Sequence, residues 1–221
     1  MLRADFALLA PHLVQREFAL RYEIEKPNTP VRDIVFLESG LASSVVRDSD
    51  RREFEVAIAG FEGMTGVSVV LGAQQTPYST YMKIAGHGHL ISSTVLRNAV
   101  AQSATLRTYL LLYVQAQFVQ MTSNALANYR YVIDARLARW LLMLEDRTSG
   151  GNLYITHESL SVIVGTRRPY LTETLRSLED RRLIRSKRGQ ITIVDRLGLI
   201  HLADGSYGVA EKEYRRLFGL R

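Results

Sequence analysis

Between Gly165 and Arg196 the chain carries nine Arg or Lys residues against four acids, and the chemistry of the sequence starts there. Guanidinium groups hydrogen-bond phosphates and the paired acceptors of guanine; they hold and discriminate rather than make bonds. Leu171, Leu175 and Leu178 share one face of a helix that opens at Thr166-Arg167-Arg168-Pro169. Pro169 falls in its first turn, where a missing N–H costs little. The other face is left to Arg167, Arg168, Tyr170, Thr172, Glu173 and Arg176. Upstream, Thr156 is suited to cap a short helix running to Val164, and Gly165 lets the chain turn sharply. Downstream, Leu183-Ile184-Arg185 leads into Lys187-Arg188-Gly189-Gln190 and Ile191–Val194, which reads as a β-hairpin with a basic tip.

Two helices separated by a glycine turn, the second opening on arginines, are a helix-turn-helix, and the basic hairpin is its wing. A helix fits the DNA major groove, and side chains of its first turns reach base edges. Arg168 can donate twice to a guanine, a pairing worth roughly 1–3 kcal/mol of discrimination. Arg167, Arg176, Lys187 and Arg188 suit phosphates, which fix position without reading sequence. Thr156, Thr166, Tyr170, Thr172 and Glu173 complete the expected DNA-facing set.

Other chemistry finds little support. The chain has no cysteine, which excludes disulfides, zinc-ribbon sites, iron–sulfur clusters and thiol nucleophiles. No P-loop, Ser–His–Asp setting or paired carboxylates stand out, so no catalytic set, metal site or cofactor is identified. His87-Gly-His89 places two histidines one residue apart, a spacing that on a strand can ligate a metal. No glutamate follows soon after, and a glycine-rich loop with exposed histidines is the preferred reading.

The composition bounds the elements that must position these residues. With 47% apolar and 23% charged residues the chain is globular. Residues 131–221 hold +5 of the +6 net charge, and no carboxylate occurs between Glu62 and Asp134. No apolar run approaches the roughly 18 residues of a membrane span. The first residues carry an early acid and no signal-type stretch, so a cytoplasmic location is expected. Residues 3–20 read as an amphipathic helix with Phe6, Leu9, Leu13 and Val14 on one side. Short strands follow at Ile34–Leu37, Leu41–Arg47, Glu53–Ile58, Val67–Leu71, Thr80–Ile84 and His89–Ser92, broken by glycine and proline turns. A brief helix through Ala101 precedes a long one over Ala104–Arg130, in which Leu106, Leu110, Val114, Phe118, Met121 and Ala125 step by three and four. Its only charges are Arg107 and Arg130, so packing against both its own domain and a second copy is expected, with those six residues as the dimer seam. A further helix over Asp134–Asp146 buries Leu137, Trp140, Leu141 and Leu144. The fold class is α+β: an antiparallel, jelly-roll-like β-roll over 1–103, a connecting and dimerisation helix over 104–130, and a winged helix-turn-helix domain over 131–221.

This order of elements resembles the Crp/Fnr family of bacterial transcription regulators, most specifically over Ile155–Val194. The resemblance implies a homodimer that pairs through the long helix and reads a two-fold symmetric operator in double-stranded DNA, with RNA polymerase and a small-molecule effector as further candidate partners. By position, Arg168 matches the family's recognition-helix arginine. Pro169 stands where glutamate is frequent, and Glu173 where the best-known cyclic-AMP receptor has a second reading arginine, so docking transfers while the preferred DNA sequence does not.

In members that bind cyclic nucleotides, the roll carries a Gly-Glu-Leu turn and then an Arg-Ser pair for the phosphate. Here Thr65-Gly66-Val67 and Thr76-Pro77 fall at those places, and Lys83 is the only lysine or arginine from Glu53 to Leu96. Without a bidentate arginine a cyclic phosphate loses its strongest anchor, which argues against a cyclic nucleotide. Another small ligand would lie between roll and long helix, with Met64, Tyr78, Tyr81, Tyr109, Tyr113 and Thr122 as candidate lining. The alternative is a ligand- or partner-binding signalling protein whose winged helix no longer reads specific DNA.

Overall fold

The computed structural model describes residues 1–50, 52–148, 152–187 and 189–220. After α1 (Arg3–Leu9), seven strands follow: β1 (Val14–Phe18), β2 (Glu23–Glu25), β3 (Asp33–Leu37), β4 (Leu41–Arg47), β5 (Glu53–Ala59), β6 (Ser79–Ile84) and β7 (Gly86–Ser92). They form two antiparallel sheets, ordered β1-β7-β3 and β2-β6-β4-β5. Phe18, Val35 and Leu37 from the first and Ala42, Ala59 and Met82 from the second share a buried core, the expected roll.

Three expectations for the roll are corrected. The helix foreseen over 3–20 stops at Leu9, followed by a 3-10 turn holding Pro11, and Val14–Phe18 becomes a strand. Phe6 and Val14 are exposed; the shared helical face was a coincidence of spacing that Pro11 interrupts. Val67–Leu71 is not a strand but contains the helical turn α2 (Val67–Val70). Gly66 before it sits at φ 74°, where a Cβ would meet Ile34 Cδ1 at 2.0 Å, so a side chain here would need both a left-handed backbone and a shift of Ile34. His87-Gly-His89 lies within β7 rather than in a loop, paired with β1 throughout and with β3 from Gly88 onward.

After α3 (Ser93–Gln102), α4 spans Ala104–Arg130, roughly 40 Å at 1.5 Å per residue. The Ser103 hydroxyl caps it, accepting from Leu106 N at 3.1 Å while donating to Asp5 at 2.6 Å. β5 is the edge of its sheet, and α4 covers that edge with amide side chains in place of another strand. Gln120 accepts from Ile58 N at 2.8 Å and, with Gln117, donates to Ile58 O; Asn124 donates to Val56 O at 2.8 Å.

The rest of the chain comprises α5 (Ile133–Glu145), β8 (Asn152–Tyr154), α6 (His157–Val164), α7 (Arg168–Asp180), β9 (Ile184–Lys187), β10 (Gln190–Ile193), α8 (Arg196–Leu202) and α9 (Val209–Phe218). Strands β8, β10 and β9 make a small antiparallel sheet in that order. Residues 137–144 of α5 are all buried, a wider face than the expected four-residue stripe. One buried cluster joins α5, α6, α7 and this sheet, and it also takes in Leu41 and Ile58 from the roll. Helix α9 turns back to the roll: Tyr214 donates to Glu62 O at 2.7 Å, and Phe218 packs on Tyr109 and Tyr214.

Candidate nucleic-acid interface and ligand cavity

Helix α6 starts where Thr156 predicts, its hydroxyl accepting from Ser159 N at 3.1 Å. Gly165 ends it at φ 63°. Arg167 then takes the N-cap position of α7 without making a side-chain cap, and Pro169 sits in the first turn. Leu171, Leu175 and Leu178 are buried and hold α7 against the module's core. The opposite face presents Arg167, Arg168, Tyr170, Glu173 and Arg176 to solvent. Among the described residues none of those five side chains has a hydrogen-bond or ion-pair partner, so each is free for an external one. Thr166 is half-buried. Two hydroxyls already have internal work: Thr156 caps α6, and Thr172, half-buried, donates to Arg168 O at 3.0 Å. In the wing, Lys187 is exposed beside the β9–β10 turn, and Arg188 lies outside the described residues.

A set of buried polar contacts that tie the module to the roll and to α4 lies outside what the sequence patterns show. Trp140 Nε1 donates to Glu55 Oε1 at 2.7 Å, and the same carboxylate accepts from Ser43 at 2.6 Å and pairs with Lys83 at 3.8 Å. Arg139 donates to Asn124 Oδ1 at 2.6 Å and to Ser206 O at 2.8 Å. Arg147 donates to Glu62 at 2.7 Å and to Met143 O at 2.9 Å. Burial lowers the Arg139 guanidinium below its usual range; burial also pulls Arg147 down, but Glu62 and other acids outweigh it. The legible signal was the run Gln117, Gln120, Asn124, amides on the same helical face as the buried Leu106, Leu110 and Tyr113.

A cavity of about 350 Å³ lies between the roll and α4. Of the six candidate lining residues, Met64 and Tyr78 are there and the others are not. Tyr81 faces a separate cleft between the roll and α6, shared with Lys83, Thr166 and Arg167. Tyr109 packs on Phe218, one helical face away. Tyr113 is buried behind Met64, its hydroxyl donating to Met64 O at 3.1 Å, and burial raises its pKa. Thr122 is exposed and donates back to Phe118 O. The helix contributes Val114, Gln117, Phe118 and Met121 instead.

The expected seam divides as well. Leu106 and Leu110 are 0% and 3% exposed, in the roll's own core, and are not free to meet a second copy. Val114 and Met121 are half-buried at the cavity. Phe118, 61% exposed, and Ala125 remain outside, on a face that also shows Leu111, Leu126 and Tyr129, the last 92% exposed.

His87 and His89 point at a carboxylate the sequence reading did not anticipate: Glu38 lies 3.6 Å from His87 Nε2 and 3.5 Å from His89 Nδ1. Among the described residues no group of three such side chains is arranged to hold a metal. No helix among them is long and apolar enough to cross a membrane.

The chain joins a β-roll, a long helix and a winged helix-turn-helix whose second helix bears arginines. Residues 135–202 match the family model of the Crp-like helix-turn-helix domain. The whole chain is similar in fold to a Crp/Fnr-family transcriptional regulator from Eubacterium rectale, at 20% identity, TM-score 0.72, covering 93% of this chain and 96% of that one. FixK2 from Bradyrhizobium japonicum gives 16% identity, TM-score 0.73 and coverage of 86% and 96%. A CRP-family regulator from Thermus thermophilus gives 19%, 0.71 and coverage of 87% and 98%. A search of curated protein sequences finds no match. The chain thus has the fold seen in Crp/Fnr-family regulators, and its residues 135–202 form a Crp-like helix-turn-helix domain.

Proposed function

We propose that the chain is a homodimeric, sequence-specific transcription regulator whose DNA affinity is set by a small molecule in the roll. The observation that carries this is the exposed face of α7, where Arg167, Arg168 and Arg176 stand without partners among the described residues inside a Crp-like module. Arg168 reads a base pair; Arg167, Arg176 and Lys187 hold phosphates, and Thr156 and Thr172 shape the helices that carry them. The second copy docks on the outer face of α4. Leu111, Phe118 and Ala125 recur there every seven residues, the period of a two-helix seam. Such a pair places two recognition helices to read half-sites about one helical turn apart.

Phe118 belongs both to that seam and to the cavity wall, which supports a route from ligand to DNA. A bound molecule biases the α4 pairing and, through Glu55–Trp140 and Asn124–Arg139, the placement of the winged helix. Sedimentation tests the assembly: the purified chain is expected to be a dimer at micromolar concentration and Phe118→Glu a folded monomer with lost operator affinity. A wild-type monomer at that concentration contradicts the proposal.

A further inference from the structure

The cavity under α4 has an unusual electrostatic character for a site in a nucleic-acid-binding protein. Among the described residues its lining contains no lysine, arginine or histidine, and Glu25 is its one ionisable carboxylate. Most of the wall is aliphatic or aromatic, with Val56, Leu71, Phe118 and Met121 among it. Glu25 is 7% exposed and accepts from Gly66 N at 2.7 Å. That N–H, at a left-handed glycine turn, is the kind of donor an anionic ligand would otherwise take; here a carboxylate of the chain itself already holds it. Ser68 is also in the lining, two residues beyond Gly66, and its hydroxyl is shielded from water without a partner among the described residues. A buried polar atom left unmade costs about 1–3 kcal/mol, so it marks a place where a ligand group gains by arriving.

We infer that this cavity selects a small, largely apolar ligand that is neutral or cationic and carries a hydrogen-bond donor, with Glu25 accepting from that donor and Ser68 contacting its polar end. The inference rests on the reading of the cavity as the effector site and names the ligand's class. An anion would meet Glu25 with no cation to offset it, whereas an ammonium or amide N–H meets an acceptor whose geometry is already fixed by Gly66. Burial raises the Glu25 carboxyl above its ordinary value, in keeping with a group poorly compensated until a donor arrives. A volume of about 350 Å³ is at the small end of ligand cavities.

The test titrates the full chain with matched amine, amide and carboxylate compounds on alkyl, phenyl and indolyl skeletons, and with cyclic AMP and inorganic phosphate. Thermal unfolding gives affinity; the methyl signals of Met64 and Met121, which line the cavity, give location against Met143, which does not. Amines and amides are expected to raise Tm by about 3–5 °C near ten times Kd, with Met64 and Met121 shifting. Carboxylates, cyclic AMP and phosphate are expected to leave both unchanged. In Glu25→Gln the amine loses its roughly tenfold preference over the amide, while the amide still binds. Carboxylates or cyclic AMP shifting Met64 and Met121 would overturn the charge assignment and leave the effector cavity standing. An amine-to-amide ratio unchanged in Glu25→Gln would remove Glu25 as the determinant. If no compound moves those methyls, the reading of the cavity as a ligand site fails with the inference.

Discussion

Two sets of arginines divide the C-terminal half of the molecule. Arg139 and Arg147 are buried, and each makes two hydrogen bonds to named acceptors on the roll, on α4 or within the module. Arg167, Arg168 and Arg176 are exposed and, among the described residues, bonded to nothing. The same side chain does opposite work: desolvated and paired it fixes one part of the chain on another, while solvated and unpaired it keeps its donors for a partner. Net charge alone does not separate the two, and only their neighbours do.

The comparison breaks most visibly at Arg139. Arg139→Ala strands Asn124 Oδ1 and Ser206 O and is expected to cost about 3–5 kcal/mol, a Tm loss of roughly 6–20 °C in thermal unfolding. Trp140→Phe keeps an aromatic ring but gives up part of the indole's volume and the donor to the buried Glu55 carboxylate, so calorimetry should register a smaller loss of about 1–3 kcal/mol. Arg168→Ala is the contrasting case: stability stays within about 0.5 kcal/mol, and discrimination at one base pair falls by roughly 1–3 kcal/mol in competition binding. Arg176→Ala should weaken all sequences alike and lower the slope of log affinity against log salt by about one unit.

The smallest effect concerns pH. Because Glu25 holds its proton more tightly folded than unfolded, its contribution to stability declines as pH rises above the ordinary value of 4.5. Glu25→Gln removes that decline. Urea midpoints of the two proteins should agree well below pH 4.5 and separate in favour of the variant as pH rises; a wild type that gains on the variant over that range would contradict the burial argument.

What was legible in the sequence follows from where the determining contacts lie. The long helix shows from Ala104 to Arg130 because its apolar steps persist from Leu106 to Ala125, about five turns. The face of α7 shows because Leu171, Leu175 and Leu178 sit within one helix. β1 was missed because four of its five residues are exposed, leaving no alternation to read. α2 was missed because its valines favour strands and Gly66 alone forces the turn. The cavity was misassigned because it is built by residues as far apart as Glu25, Ser68 and Phe118; aromatic composition near α4 suggested Tyr109 and Tyr113, which pack elsewhere. The same distance in sequence hid Glu38 from His87 and His89 and Glu55 from Trp140.

The most direct test of the central claim is selection of genomic DNA fragments by the purified chain and by Arg168→Ala at physiological salt, followed by sequencing. The wild type is expected to recover a two-fold symmetric motif, in the absence or presence of an amine or amide ligand, that relaxes at one position per half-site in the variant. Retention that is sequence-blind and salt-sensitive for both proteins under every ligand condition would contradict it.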